Sequence, residues 1–239
     1  MTINTEGLEF RQINEAILKA DGDVTLTGCL GQRFICAGMS DVSVTVEGTP
    51  GNALGAYLNG ADITVLGNAQ DAVGDTMNSG IIAVHGNIGD AAGYAMRGGC
   101  IYVKGNAGYR AGIHMKAYKE KVPVMVIGGC TGSFLGEYQA GGVIVVLGLE
   151  AAGRRIVGNF PGTGMHGGKM FLRSDCRDIV FPKQVSTRPA APDDLAEIEK
   201  YVAEYCRLFG ADKADLMASP FTVVTPDSSN PYKQLYVAN

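Results

Sequence analysis

The sequence predicts an all-β protein: a right-handed parallel β-helix of about seven to eight coils, with a helical cap before it and a helix and tail after it. Three observations carry that expectation. Glycine recurs at Gly28, Gly48, Gly67, Gly86, Gly105, Gly129 and Gly148, in steps of 20, 19, 19, 19, 24 and 19 residues, and a near-fixed period of this length marks one unit stacked on copies of itself. Four residues before each marker lies Val24, Val44, Ile63, Ile82, Ile101, Met125 or Ile144, and two before it Leu26, Val46, Val65, Val84, Val103, Ile127 or Val146. That alternation gives every unit a short strand with one apolar face. Further glycines recur at fixed offsets after the markers (Gly55, Gly74, Gly93, Gly112 and Gly136, for example), where the chain must turn corners or approach itself closely.

Stacking sets each residue about 4.8 Å above its counterpart. Columns of sequence then become ladders, with aliphatic side chains inside and Asn68, Asn87 and Asn106 at a corner. Three short strands per coil are expected, and parallel crossovers default to the right hand. A left-handed hexapeptide helix, with its strict period of about 18, fits less well. On this reading Gly48, Gly67, Gly86, Gly105, Gly129 and Gly148 serve geometry rather than a ligand.

The elements follow in order. Residues 1–21 form a capping segment, in which 9–20 read as a helix with Ile13, Ile17 and Leu18 on one side. A solenoid needs such a cover because its end strand has unpaired edges. Residues 22–182 form the β-helix, whose last coil supplies an eighth rung at Met170 and Leu172. Pro182, Pro189 and Pro192 mark a linker within 183–239. A helix follows from Asp193 as N-cap to Gly210 just past its end, with Leu195, Ile198, Val202, Cys206 and Phe209 on one face. The stretch from Phe221 onward reads as an extended tail that runs back along the solenoid or reaches a neighbour.

Composition sets the class. A chain of 239 residues that is 46% hydrophobic is long enough for one continuous core. A net charge of −4 argues against nucleic acid as a partner. The N-terminus lacks the basic start and apolar run of a signal peptide, and no stretch has the length of a membrane span. Cys29, Cys36, Cys100, Cys130, Cys176 and Cys206 are scattered without a CxxC pair. This suits reduced thiols in the cytoplasm rather than a disulfide framework or an iron–sulfur site.

Motifs that carry chemistry are weak. Gly162, Gly164 and Gly167 echo a dinucleotide fingerprint, but a strand follows where that fingerprint needs a helix. His85, His114 and His166 fall in different columns, which promises no convergence on a metal. Asp71 and Asp90 share a column on adjacent coils, with Asp75 near, at a separation resembling that of the carboxyl pair in a retaining glycosidase. A turn aspartate more often bonds nearby backbone, and no aromatic platform for a sugar is legible. The basic residues Arg97, Arg110, Lys116, Lys119 and Lys121 gather near the 24-residue step, where KAYKEKV is an insertion. They are the first candidate for a partner interface. Arg154 and Arg155, where the glycine pattern breaks, are the second.

The segments GNAQDAVGDTMNSGIIAVHGNIGDAAGYAMRGG, GGCTGSFLGEYQAGGVIVVLG and GNFPGTGMHGGKMFL resemble the GXGXG domain of glutamate synthase large subunits, in order, over roughly residues 24–173. The domain is also similar to one subunit of formylmethanofuran dehydrogenase. The resemblance implies a right-handed β-helix that acts as scaffold, with the chemistry on other parts of the complex. These are a glutamine amidotransferase unit and an FMN-binding synthase unit carrying an iron–sulfur cluster. As a separate subunit the chain would bind no cofactor or metal and catalyse nothing alone. Homo-oligomerisation is left open.

Overall fold

The computed structural model describes residues 1–149 and 151–228. In chain order the elements are β1 (Thr2–Asn4), α1 (Phe10–Leu18), β2 (Val24–Leu30), β3 (Ser43–Thr49), β4 (Asn59–Val65), β5 (Ser79–Val84), β6 (Cys100–Val103), β7 (Val124–Ile127), β8 (Ala140–Val146), β9 (Gly167–Leu172), β10 (Val185–Pro189), α2 (Pro192–Phe209), α3 (Lys213–Met217) and β11 (Thr222–Pro226). The strands form one sheet in the order β1 to β9, then β11, then β10. From β1 to β9 every pairing is parallel, as a solenoid requires.

The register is the one the columns predict. Val24 pairs with Val44, and the column continues through Ile63, Ile82, Ile101, Met125 and Ile144 to Met170. The second column runs from Leu26 to Leu172 in the same way. Both columns point inward and are almost fully buried, each side chain contributing about 1.5–3 kcal/mol. Leu58, Met77, Met96 and Met115 fill the facing wall and are also fully buried.

The expected three strands per coil are not what forms. One side of each coil is a strand. A second is reduced to a ladder of single parallel bridges, Ala69–Ile88–Ala107–Thr131–Val157. The third departs from extended backbone: Ala53, Gly55 and Tyr57 all have positive φ, as do Ala72, Gly74 and Thr76 one coil on. The N–H groups of Ala53 and Tyr57 donate to Asp71 and Asp75 of the following coil at 2.9 and 2.7 Å, while that of Gly55 donates to Ile35 of the preceding one at 2.8 Å. Each non-glycine residue held there costs about 1–2 kcal/mol, and the hydrogen bonds to coils on both sides offset it.

Coils also touch through side chains. The Oδ1 of Asn68 accepts from the Asn87 N–H at 2.8 Å, that of Asn87 from Asn106 at 2.8 Å and that of Asn106 from Cys130 at 2.7 Å. This ladder explains the marker glycines. A Cβ on Gly86 would lie 2.7 Å from the carbonyl oxygen of Gly67, and one on Gly105 2.8 Å from that of Gly86. Close approach, not positive φ, demands glycine at Gly67, Gly86, Gly105 and Gly129, whereas Gly28, Gly48 and Gly148 have φ of 66°, 114° and 63°.

Both ends are closed. The helix α1 buries Ile13 and Ile17 against the first coil, but Leu18 faces solvent, against expectation. Asn14 on α1 stands in for a missing coil: its amide donates to the Phe34 carbonyl and accepts from the Cys36 N–H, both at 2.9 Å. Strand β1, which the sequence did not announce, pairs with β2. At the far end β11 pairs antiparallel with β9 and β10 with β11. The expected linker thus contains a strand, and part of the expected tail runs back as a strand on the last coil. The rest of that tail, residues 229–239, lies outside the described residues. The last edge, β10, ends the sheet with exposed Arg188 and with Pro189, which discourages further pairing.

The helix α2 begins with Ala191 as N-cap and Pro192 in its first turn, two residues before the expected cap. Asp194 accepts from the Ala191 N–H at 2.8 Å and binds Arg188 through both of its oxygens, one at 2.8 Å. Gly210 ends it at φ 74°. Ile198, Val202 and Tyr205 are buried against a second core of Tyr102, Val126, Val145 and Phe171 on the outer face of the sheet. Gly128 has no side chain because a Cβ there would overlap the Tyr205 hydroxyl.

Two outcomes follow from this packing. Gly86→Ala should lower stability by about 2 kcal/mol in urea denaturation, and more than Gly153→Ala, where nothing lies within 4 Å of the new methyl; equal midpoints would show that the coils do not touch there. Hydrogen bonds from Arg188, helped by the Ala191 N–H, hold the Asp194 carboxyl down at about 2, below its ordinary 3.8. A depressed folded value means the pair stabilises above the ordinary range and its contribution disappears as pH falls from about 4 toward 2. The Tm advantage of the wild type over Asp194→Asn should therefore shrink across that window.

Candidate functional site

The outer face of the sheet from β6 to β9 is covered by α2. The side of the coils built on positive-φ residues has no such cover among the described residues, and there the insertion lies close to Arg97 and Lys116. KAYKEKV forms a small turn closed by reciprocal hydrogen bonds between Tyr118 and Lys121, both 3.0 Å. Lys119, at its tip, has φ 55° and its ammonium lies 5.3 Å from the Tyr118 ring. Val122 and Tyr118 are exposed beside it.

A groove of about 330 Å³ runs next to this turn, lined by Tyr94, Arg97, His114, Lys116, Tyr138 and His166, with Ala95 and Ala140 between them. Its side chains come from successive coils. Tyr94 meets His114 edge-on at 5.8 Å, and His114 stacks on Tyr138 at 5.1 Å with the rings 12° apart. Arg97 and Lys116 occupy equivalent places eleven residues after Gly86 and Gly105, their N–H groups bonding Met77 and Met96. The Arg97 Nε donates to the Ala95 carbonyl at 3.1 Å, which holds the guanidinium at the rim. His166 places Nδ1 3.0 Å from the Gly164 carbonyl oxygen. The sequence reading placed the three histidines in separate columns; here His114 and His166 share one groove. Only His85 lies apart, edge-on to Phe209 at 5.0 Å, with burial and then Lys104 lowering its pKa. The signal lies in the coil register: the N–H groups of Arg97, Lys116, Ala140 and His166 bond to the equivalent Met77, Met96, Met115 and Gln139, which places His166 in the column beside that of His114.

The other candidates go elsewhere. Arg110 turns to the nearly buried Glu137 at 2.6 Å and covers Tyr109 at 4.8 Å. Tyr109, Phe134 and Phe160 form a second aromatic column, with ring centroids 5.3 and 5.2 Å apart. Stacked surface aromatics are therefore present, contrary to the sequence reading. Arg154 donates through Nε to the Ala151 carbonyl, and Arg155 pairs with Asp178 at 3.6 Å; they flank a separate pocket with Cys130 and Thr131. Asp71 and Asp90 do backbone work: Asp71 Oδ1 accepts from the Asp90 N–H at 2.8 Å and Asp90 Oδ1 from Tyr109 at 2.7 Å. After Gly162, Gly164 and Gly167 the chain enters β9, a strand, as expected.

None of the six cysteines, all among the described residues, forms a disulfide. Burial pushes the Cys36 thiol up to about 12 and the Cys29 thiol to about 11, so neither is a nucleophile at neutral pH. Among the described residues no group of three His, Cys, Asp or Glu could hold a metal ion, and no helix is long and apolar enough to cross a membrane.

The sequence profile of the GXGXG motif family matches residues 19–228. The chain belongs to that family. The chain is similar to an uncharacterized protein of Methanocaldococcus jannaschii, 40% identical over 250 residues, covering 99% of this chain and 96% of that one. Among solved structures, a chain of the formyltransferase/hydrolase complex of Methylorubrum extorquens, determined with methylofuran, superposes with a TM-score of 0.64. That match is 22% identical and covers 84% of this chain and 71% of the other. At that identity it shows that the GXGXG solenoid fold is shared.

The two arginine pairs separate by burial. Arg110→Ala strands the carboxylate of Glu137, only 8% exposed, whereas Arg155→Ala leaves Asp178 at 58%. The first should cost about 1–2 kcal/mol and the second less than about 0.5 kcal/mol, read from denaturant midpoints.

Proposed function

We propose that this GXGXG protein is a non-catalytic assembly subunit of a glutamate synthase-like complex. On this reading a glutamine amidotransferase chain releases ammonia, and an FMN-binding synthase chain carrying an iron–sulfur cluster uses it, in the cytoplasm. This chain binds neither cofactor and holds the other chains in place. The observation that supports a subunit role is the family match over residues 19–228; the glutamate synthase-like partners rest on the resemblance of the three segments quoted from the sequence. Two features of the molecule support it. The solenoid closes both of its own ends, so its sides are what it offers to partners. The exposed turn with Lys119 and Lys121 projects from one of those sides.

A second reading has its own support. The solved structure of like fold comes from a formyltransferase/hydrolase complex, which favours a subunit of a formylmethanofuran dehydrogenase-like assembly. The two differ in their partners and share the scaffold role.

Affinity purification of the tagged chain from its source, followed by mass spectrometry and absorption spectroscopy, separates them. Co-purifying amidotransferase and flavoprotein chains are expected; a molybdenum or tungsten protein would select the second reading, and recovery of the chain alone would remove both. Reversing Lys119 and Lys121 to Glu should reduce recovery of the partners several-fold, and unchanged recovery would dispose of the turn as an interface.

A further inference from the structure

We propose that the groove between Tyr94 and His166 is a docking site for an acidic segment of a partner chain. The inference rests on the assembly role proposed above and names the chemistry of the contact. Arg97 and Lys116 are stacked on adjacent coils, a rung apart at about 4.8 Å. Like charges directly opposite one another on neighbouring strands are unfavourable. Neither side chain forms an ion pair among the described residues, although Arg110, Arg155, Lys169, Arg177, Arg188, Arg207 and Lys213 all do. His114 and His166 line the same groove, and none of its lining residues is acidic. In a chain with a net charge of −4 this sets two cations beside two imidazoles in a groove whose lining offers them no carboxylate.

Shape and charge select the occupant. The groove is open and crosses the coils that carry Tyr94, His114, Tyr138 and His166, a run of about 14 Å at that rung spacing. That length suits an extended segment of about four residues. Carboxylates of such a segment would meet Arg97 and Lys116, where an Arg fork can take a carboxylate through two hydrogen bonds. Planar groups between them would lie on the Tyr94–His114–Tyr138 column. On a second copy of this chain Glu197, Glu199 and Glu204 of α2 are already paired with Lys169, Lys213 and Arg207, and its acidic cluster of Asp23, Asp41 and Asp62 lines a pocket of about 310 Å³, so a homodimer is one outcome of the test. Residues 229–239 match poorly, since they contain a lysine and no acid.

The three histidines make the test direct. Imidazole Cε1–H resonances of the full-length protein are followed by NMR while a twelve-residue Glu/Tyr peptide is added at low salt, with its Gln/Tyr counterpart as control. The signals of His114 and His166 should move and saturate, while that of His85, against α2, should not. The Arg97→Glu, Lys116→Glu double variant should bind about tenfold more weakly, and 0.5 M salt should act in the same direction. Equal response to the Gln peptide, or undiminished binding by the double variant, would overturn the proposal. So would saturation by inorganic phosphate at the same concentration as the acidic peptide, which would make this a small-anion site. His114 shifts produced by deleting residues 229–239, or a dimer abolished by Lys116→Glu in sedimentation, would assign the groove to this chain itself and also overturn it. None of these readings depends on recovering the native complex, so a failure here is distinct from a failure of the assembly role.

Discussion

Coil lies on coil at the spacing of paired strands, and this one distance governs the molecule. At about 4.8 Å a backbone passing over a corner leaves no room for a methyl group, so Gly67, Gly86 and Gly105 sit under one another. The same distance lets an Asn or Asp side chain reach the N–H of the coil above, which produces the ladders through Asn68, Asn87 and Asn106 and through Asp71 and Asp90. It also lets the third side abandon extended geometry. Ala53, Ala72 and Ala91 accept a left-handed conformation because each gains a hydrogen bond to the following coil. Every column is thus a negotiation between crowding and hydrogen bonding, repeated with little change from coil to coil.

A repeat that needs neighbours on both sides has to be terminated. At one end β1 supplies a short strand and Asn14 of α1 supplies the two hydrogen bonds that a further coil would have made. At the other the chain leaves the solenoid, forms α2 and α3, and returns as β11 in the opposite direction. An antiparallel strand cannot continue a solenoid of parallel coils, so it stops the repeat. The charged and proline-bearing β10 then closes the sheet.

The sides of the cylinder differ in consequence. The outer sheet face is polar at Thr25, Thr45 and Thr64, then turns to Ala83, Tyr102, Val126, Val145 and Phe171, where α2 lies across it. The far side keeps its aromatic and basic columns in solvent. One face is thus covered by the chain's own helix, while the other carries charge and rings at the rung spacing in solvent.

The sequence by itself determined the register, the inward columns, the eighth rung and the cap at α1, because each depends on a local period that a stacked repeat copies into space. It also announced α2, whose apolar face follows helical spacing. What the column between the two aliphatic ones meant was not legible, since its shift from threonine to large apolar residues records contact with a helix about a hundred residues further along, as the bond from Tyr205 to the Lys104 carbonyl shows. Nor was the fate of the basic residues. Arg97 and Lys116 share a groove with His114 and His166, while Arg110 turns to Glu137 and Arg155 to Asp178. Side-chain direction at a surface depends on which neighbours the coils bring within reach, and only the tertiary structure decides that.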